Sequence, residues 1–284
     1  MILVLGASGN IGSATVSALK QKGAQFKAGY RKPEEMQKAQ QRGYDAVQVD
    51  YGDRLSLARA FEGAQRVFFV NPPSPQMLSL ETNVLNAAKQ AGVKLLVKSS
   101  VWGAESEDFV FSRPHRASEK QIEASGVPYV FVQPNGFFQN LLASAPLIQS
   151  QSMFAQPDSD PAVSEVDVQD IGNVAASILT SDGHEGKAYR VSGPEAITGA
   201  QKAQVLSELL GRAIKCVVVL REQWKQAAMK FGVSDWLAGG IIDLQRYYAE
   251  GKASAIVDTV PRFTGAPART FQQFARGALV AFGE

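Results

Sequence analysis

The first candidate for chemistry is a glycine-rich turn near the start of the chain. Gly6, Gly9 and Gly12 directly follow the apolar run Ile2–Leu5 and open a segment with helical spacing of apolar residues. In such a strand–turn–helix unit the glycines permit a tight turn, close approach of a pyrophosphate, and close packing of helix on strand. The helix N-terminus then faces the phosphates. A turn with only a structural role is the alternative. The predicted dinucleotide site comprises Gly6, Ala7, Ser8, Gly9, Asn10, Ile11 and Gly12.

The residue after the second apolar run indicates which dinucleotide is bound. NAD-specific sites usually carry Asp or Glu about 20 residues beyond the glycines, where the carboxylate binds the ribose 2′-hydroxyl. This chain has Arg31 there. A carboxylate would repel a 2′-phosphate, whereas a guanidinium binds it through paired charge-assisted hydrogen bonds. The sequence therefore favours NADPH, although an exposed arginine after a strand is the alternative.

Further candidates follow the next three apolar runs. Asp50 comes after the third run, Asn71 and Pro72 after the fourth, and Ser99 after the fifth. Ligands of open α/β sheets bind at the carboxyl ends of the strands, so these residues are candidate cofactor contacts. For Asp50, capping of a loop is an equally good interpretation, and the prolines that begin at Pro72 could simply form a turn.

A parallel sheet is needed to bring these residues together. Strand-like runs and helix-like segments alternate through the first half of the chain, which predicts a doubly wound α/β domain with a parallel Rossmann sheet. Uniformly apolar runs such as Val67–Val70 are typical of strands buried on both faces. The predicted strands are Ile2–Leu5, Phe26–Tyr30, Ala46–Val49, Val67–Val70, Leu95–Lys98 and Tyr129–Val132, and the predicted helices lie near 10–22, 33–42, 54–62, 76–91 and 115–125.

The second half of the chain predicts a smaller, mostly helical C-terminal lobe. We expect residues 1–135 to form the dinucleotide-binding domain, completed by segments near 166–193 and 255–284 that return to the sheet. Residues 136–165 and 194–254 then form the lobe, which would cover the substrate. In the tail, Thr270 and Gln273 fit a capping box at the start of a helix.

Composition excludes several other classes of protein. The 29 Lys and Arg nearly balance the 27 Asp and Glu, without the concentrated basic patch of nucleic-acid binders. The single cysteine, Cys216, lies in an apolar strand-like run and excludes a disulfide framework or a cysteine zinc site. No signal peptide or membrane-spanning stretch is evident. We expect a cytoplasmic protein, a monomer or homodimer, that binds no metal, nucleic acid or membrane.

These motifs together resemble the atypical short-chain dehydrogenases of the NmrA-like family. The resemblance covers essentially the whole chain. It is carried by the glycine turn, Arg31, the segments His115–Asn140 and Val166–Ile171, and the tail Asp258–Phe271. Within the family the chain is most similar to the flavin-free branch that contains an azoreductase, a triphenylmethane-dye reductase and an NADPH:quinone reductase.

The resemblance implies a cofactor site and an activity. It implies NADPH bound through the glycine turn, Arg31, Asp50 and Asn71. It places the nicotinamide end near Ser99 and near Pro134, Asn135, Gly136 and Phe137. The implied reaction is direct hydride transfer to an electron-poor aromatic acceptor, namely a quinone, an azo compound or a triarylmethane dye. An NADP-binding redox sensor without catalysis is the alternative, and an isoflavone-reductase-like enzyme is a third, weaker interpretation.

The chain departs from typical short-chain dehydrogenases in its proton donor. Those enzymes use a Tyr-x-x-x-Lys pair, but the corresponding segment His115–Lys120 contains no tyrosine. Tyr248 and Lys252 have the spacing, yet they come far too late in the chain and enclose Gly251, which indicates a chance match. Reduction of a quinone gives a phenol-like oxyanion whose conjugate acid has a pKa of roughly 10, as for tyrosine. A triarylmethyl cation needs no proton, so such acceptors require mainly orientation.

His115 and three aromatic residues complete the candidate site. In isoflavone-reductase-like enzymes the same helix carries a catalytic lysine, and counting back from Glu123 this resemblance places that position on His115. A histidine there could donate a proton at neutral pH, although a helix-start histidine without a chemical role is equally consistent. Trp102, Phe138 and Trp236 are candidate walls for a flat substrate, and each is individually better explained as core.

Overall fold

The computed structural model describes residues 1–283, which form a large and a small parallel sheet. The strands are β1 Ile2–Leu5, β2 Phe26–Tyr30, β3 Ala46–Gln48, β4 Arg66–Phe69, β5 Leu95–Ser99, β6 Tyr129–Pro134, β7 Met153–Pro157, β8 Lys187–Val191 and β9 Lys215–Val219. The seven-stranded sheet has the order β3-β2-β1-β4-β5-β6-β8, and β7 pairs with β9. Strands β2 and β3 lie on one side of β1, and β4 and the strands that follow it lie on the other side. This change of side confirms the predicted doubly wound Rossmann sheet.

The helices either cover the two faces of the large sheet or build the smaller lobe. They are α1 Asn10–Gln21, α2 Pro33–Gln41, α3 Arg54–Phe61, α4 Met77–Gln90, α5 Ser112–Glu123, α6 Ala145–Gln151, α7 Val168–Thr180, α8 Gly199–Leu210, α9 Arg221–Lys230, α10 Asp235–Ala249, α11 Thr259–Thr264, α12 Phe271–Gly277 and α13 Leu279–Phe282. Side chains alternate along β1, so that Val4 packs with α1 and α7 while Leu3 and Leu5 pack with α3 and α4. Burial on both faces explains why the central strands are uniformly apolar.

The smaller lobe has a hydrophobic core of its own. This core contains Ile148 of α6, Phe154 of β7 and Leu206 of α8, and it surrounds the fully buried ring of Phe138. The lobe is mostly helical, as predicted, and also contains the two-stranded sheet. Cys216 lies on β9, as its apolar context predicted, and is half-buried.

The tail divides between the two cores. Val260 and Ala268 pack in the core of the large sheet, whereas Phe271 and Phe274 pack in the core of the lobe. The expectation that all of 255–284 returns to the sheet is therefore too simple, because the apolar face of α12 packs on the lobe. The predicted capping box is present, with the Thr270 side chain accepting from the backbone of Gln273 and the Gln273 side chain accepting in return. Within residues 1–283, no helix combines the length and the apolar character needed to cross a bilayer.

Candidate functional site

The turn between β1 and α1 is shaped for a phosphate group. Gly6 adopts φ 78°, in the left-handed region, and its carbonyl accepts from the N–H of Gly9 at 3.1 Å. A Cβ on Gly12 would overlap the carbonyl of Gly6, so only glycine lets α1 begin this close to the strand. Gly9 caps α1 without a side chain, and a Cβ there would meet only one atom, at 3.5 Å. The first turn of an α-helix has free N–H groups, so this open turn fits a pyrophosphate.

The other residues of the turn support this geometry. Ala7 is buried, and its N–H donates to the carbonyl of Gly29 at 3.1 Å, which ties the turn to β2. Ile11 is buried in the sheet core, whereas Ser8 and Asn10 are exposed. The turn therefore presents polar side chains and backbone to solvent while its apolar residues anchor it.

The predicted contacts after β2, β3 and β4 lie at the same edge of the sheet. Arg31 is exposed directly after β2. Asp50 is exposed after β3, and its Oδ1 accepts from the N–H of Gly52 at 2.7 Å, so it caps its own loop. Asn71 is buried after β4, and its amide donates to the carbonyl of Met77 at 3.4 Å, while Pro72 is exposed. Loop capping thus accounts for Asp50 and for the amide of Asn71, and a cofactor contact of either residue is a proposal.

A buried ion pair lies at β5, next to His115. Lys98 Nζ and Glu81 Oε2 are 2.5 Å apart, and both side chains are fully buried. Glu81 Oε1 and His115 Nδ1 are buried without a hydrogen-bond partner. Removing one partner of such a pair leaves an uncompensated buried charge, which typically costs about 3–5 kcal/mol. The sequence pattern did not predict this pair, although a lysine inside the apolar run of β5 was an available signal.

This environment changes what His115 can do. Burial, and then the positive charge of Lys98, lower the pKa of His115 well below its usual value. The ring is therefore neutral at neutral pH. The lowered pKa argues against a histidine that donates its proton near neutrality, because a neutral imidazole is a far weaker acid than an imidazolium, and a catalytic role of His115 stays a prediction.

A second buried polar group joins β5, β6 and α5. Glu119 lies one helical turn after His115, and its Oε1 accepts from Ser100 at 2.6 Å and from Gln133 at 2.9 Å. Its other oxygen accepts from Arg116 at 3.1 Å. Ser99 is buried beside this network at the end of β5. The hydroxyl of Ser100 is thus already engaged in a hydrogen bond to Glu119, and Glu119 connects the carboxyl ends of β5 and β6.

The loop after β6 connects the sheet to the lobe. Asn135 is buried, and its amide donates to Ser164 Oγ and to the carbonyl of Ala253, each at 2.9 Å. Its Oδ1 accepts from the N–H of Gly136 at 2.9 Å. Pro134 ends β6, and Phe137 is half-buried against the sheet core. Asn135 therefore holds the loop in place, while Gly136 and Phe137 are only half-buried.

The predicted aromatic walls lie in different environments. Trp102 is 3% exposed, and its indole N–H donates to the carbonyl of Lys252 at 3.0 Å. Phe138 is fully buried, with its ring centroid 5.5 Å from that of Phe271. Trp236 is half-buried and meets Phe111 edge-on at 5.6 Å. Phe138 is thus a core residue of the lobe, which corrects its expected role as a wall, and Trp102 is almost entirely core. Trp236 retains an accessible face.

Tyr248 and Lys252 do not form a catalytic pair. Lys252 Nζ lies 2.8 Å from Asp108 Oδ2 and 2.7 Å from Glu250 Oε2, in exposed ion pairs. The interpretation of their spacing as chance holds for the pair. Tyr248 itself nevertheless lies at the site, because its hydroxyl reaches the loop that contains Gly136. No local signal in the sequence connects α10 with that loop.

Comparison with known proteins agrees with this architecture. The sequence profile of the NmrA-like family matches residues 1–260. The NAD(P)H azoreductase of Xenophilus azovorans is 37% identical over 284 residues, covering 100% of this chain and 99% of the relative. A (4-alkanoyl-5-oxo-2,5-dihydrofuran-3-yl)methyl phosphate reductase of Streptomyces griseus is also 37% identical, over 287 residues and 99% of each chain.

Among solved structures, the NADPH complex of the NADPH-dependent quinone oxidoreductase QOR2 from Escherichia coli has a TM-score of 0.90. It is 26% identical, and the match covers 98% of this chain and 100% of that chain. Because both the family profile and these relatives match over most or all of its length, the chain belongs to the NmrA-like family.

Proposed function

We propose that this NAD(P)H-dependent reductase binds NADPH and passes hydride directly, without a flavin, to a flat electron-poor acceptor. The acceptor class is a quinone, an azo compound or a triarylmethane dye. The observation that carries the proposal is the close packing of Gly12 on Gly6, which opens the N-terminus of α1 at the carboxyl edge of the sheet. Ligands of doubly wound sheets bind at this edge, beside the point where strand order reverses.

Several residues would hold the cofactor in the proposed site. The backbone of Gly6–Gly12 would bind the pyrophosphate, and the exposed guanidinium of Arg31 would bind the 2′-phosphate. Ser99 and the loop Pro134–Phe137 would line the nicotinamide end. When bound, NADPH supplies the hydride. The chain's own residues then orient the acceptor and exclude water, which is sufficient for acceptors that need little proton transfer.

The acceptor class is supported by the lining of the carboxyl edge and by the relatives. A cluster of aromatic residues from the loop after β5 and from α10 lies at this edge, and Trp236 and Tyr248 are half-buried members of it. Flat aromatic molecules pack well against such a surface. The azoreductase and QOR2 are named for acceptors of this kind. The Streptomyces relative is named for an oxo-dihydrofuran phosphate, so a conjugated lactone belongs in any test of acceptors.

The test is steady-state oxidation of NADPH by the purified protein with a quinone, an azo dye, a triarylmethane dye and an unsaturated lactone. We expect turnover with at least one aromatic acceptor and none with a Gly12→Val variant, whose side chain would collide with Gly6. Tight NADPH binding without turnover on any acceptor would contradict the proposal and support the redox sensor instead.

The absence of flavin is tested separately. One glycine turn serves the dinucleotide, and direct transfer to an electron-poor acceptor needs no second redox group. We expect a visible spectrum without flavin bands after gel filtration, and turnover that added flavin does not increase. Flavin bands that persist through gel filtration would contradict direct transfer.

A further inference from the structure

The hydroxyl group of Tyr248 lies against the loop that follows β6. It is 2.9 Å from the position that a Cβ would occupy on Gly136, so the missing side chain of this glycine makes room for it. Its neighbour Tyr247 projects elsewhere, with its hydroxyl against Gly103 in the loop after β5. Consecutive residues of α10 thus reach two different loops at the carboxyl edge, and only Tyr248 reaches the loop assigned to the nicotinamide end.

The surroundings of Tyr248 keep its hydroxyl protonated. Oε1 of Glu165 lies 3.6 Å from the same Cβ position on Gly136, and Glu165 forms a largely buried ion pair with Lys202 of α8. Burial, and then the negative charge of Glu165, raise the pKa of Tyr248 above its usual value. The hydroxyl is therefore a hydrogen-bond donor throughout the neutral and mildly basic range.

Other side chains near this edge are poorly suited to donate. The hydroxyl of Ser100 already donates to Glu119. His115 is buried, neutral and part of the environment of Lys98. The amide of Asn135 donates both of its hydrogen bonds to the lobe. The hydroxyl of Tyr248, by contrast, lies against the loop after β6, at Gly136.

From this placement we infer that Tyr248 donates a hydrogen bond to the oxygen of a quinone-like acceptor, a role that rests on the proposed function. A hydride adds one proton and two electrons to the neutral quinone. The product therefore carries one negative charge, which lies on oxygen. A proton from water then completes the hydroquinone. A fixed hydroxyl beside that oxygen interacts more strongly as negative charge develops, and this lowers the barrier. A triarylmethyl cation has no such oxygen, so its reduction gains nothing from Tyr248.

The experiment compares Tyr248→Phe with wild type on a quinone and on a triarylmethane dye. Removal of the hydroxyl alone should lower kcat for the quinone by about 10²–10³-fold, as for other lost oxyanion donors, and leave the dye rate unchanged. Tyr247→Phe is the matched control, because it removes the adjacent hydroxyl that faces Gly103. It should leave both rates unchanged.

A binding measurement provides a readout apart from turnover. Calorimetric titration of the NADP⁺-saturated protein with para-nitrophenolate, which carries a phenolate oxygen like that of the product, should show about 10–100-fold weaker binding to Tyr248→Phe. NADPH affinity and melting temperature should match those of wild type, since the aromatic ring is retained.

The outcomes separate the two proposals. Equal losses on both acceptors, or unchanged quinone turnover and para-nitrophenolate affinity in an active enzyme, overturn the role of Tyr248 and leave the proposed function intact. If none of the tested acceptors supports NADPH oxidation by the wild-type protein, the proposed function and the role of Tyr248 are overturned together.

Discussion

Gly6 and Gly12 are in backbone contact across the turn between β1 and α1. A Cβ on Gly12 would overlap the carbonyl oxygen of Gly6 and would lie 2.7 Å from its carbonyl carbon. These are backbone atoms at the end of a central strand, so they cannot move aside without disturbing the sheet. The contact places the N-terminus of α1 directly at the edge where the proposed cofactor binds.

Gly12→Ala should therefore destabilise the protein and weaken NADPH binding. Overpacking of this kind costs about 1–3 kcal/mol, which exceeds the helix-propensity gain of about 1 kcal/mol from alanine. Gly239→Ala is the control, since Gly239 lies within α10 with no atom within 4 Å of the added Cβ. Urea unfolding and calorimetric NADPH titration measure both effects. If both variants are equally stable and bind NADPH as wild type does, the glycine contact has no role in the site.

Arg31 should determine the choice between NADPH and NADH. It is exposed at the end of β2 and free to reach a 2′-phosphate. Loss of a hydrogen bond to a charged group costs about 1.5–3 kcal/mol, so Arg31→Asp should weaken NADPH binding by about 10–150-fold and abolish or reverse the preference. Arg42→Asp makes the same change of charge at the far end of α2 and should preserve the preference. Equal affinity of the wild type for both cofactors would disprove this assignment.

Phe138 and Trp236 should respond differently to truncation. Phe138 is fully buried between Phe271 and Phe274, so Phe138→Ala should lower the free energy of unfolding by about 3–5 kcal/mol. Trp236 is half-buried, and Trp236→Ala should cost less stability while raising KM for flat acceptors. Urea unfolding and acceptor kinetics distinguish the two. A Phe138→Ala variant of wild-type stability with a raised KM would restore Phe138 as a wall of the site.

The sheet could be predicted closely from the sequence because its signals are local. The runs Ile2–Leu5 and Phe26–Tyr30 match β1 and β2 at both ends, and α1 begins at Asn10 as the glycine turn requires. Periodicity shows that a face is buried, but it does not identify the partner. The capping box at Thr270 therefore located α12 without indicating that Phe271 packs in the lobe.

The interior of the site could not be predicted in the same way. The pair of Lys98 with Glu81 joins β5 to α4, and the approach of Tyr248 to Gly136 joins α10 to the loop after β6. Both relationships arise from the packing of segments that are distant along the chain. For the same reason His115 carried no sequence signal of a lowered pKa, since burial and the charge of Lys98 both depend on the fold.

The burial of neutral His115 predicts a specific dependence of stability on pH. In the unfolded chain a histidine has a pKa of about 6.5, whereas the folded value lies well below this. As pH falls below the unfolded value, the unfolded state binds a proton that the folded state does not. The free energy of unfolding should then fall by up to about 1.4 kcal/mol per pH unit. Replacement of His115 by glutamine should remove this contribution to the dependence of the free energy of unfolding on pH.

Two other groups must be separated from His115 in that measurement. The pKa of His184 is also lowered, mainly by partial burial, so it contributes a slope of the same sign. Burial raises the pKa of Asp170 to about 6, so the folded state holds that proton more tightly and this group adds stability as pH falls. The informative quantity is therefore the difference between wild type and His115→Gln, with His184→Gln as the control for the only other histidine.

We expect the stability difference between wild type and His115→Gln to change steadily as pH is lowered through the unfolded-state value, measured by urea unfolding at a series of pH values. Because the neutral ring cannot act as a cationic acid, quinone reduction and triarylmethane-dye reduction should respond alike to His115→Gln, as for a residue with a structural role. A stability difference that stays constant across the series would mean that the ring titrates equally in both states. Combined with a loss confined to quinones, that result would make His115 the proton donor.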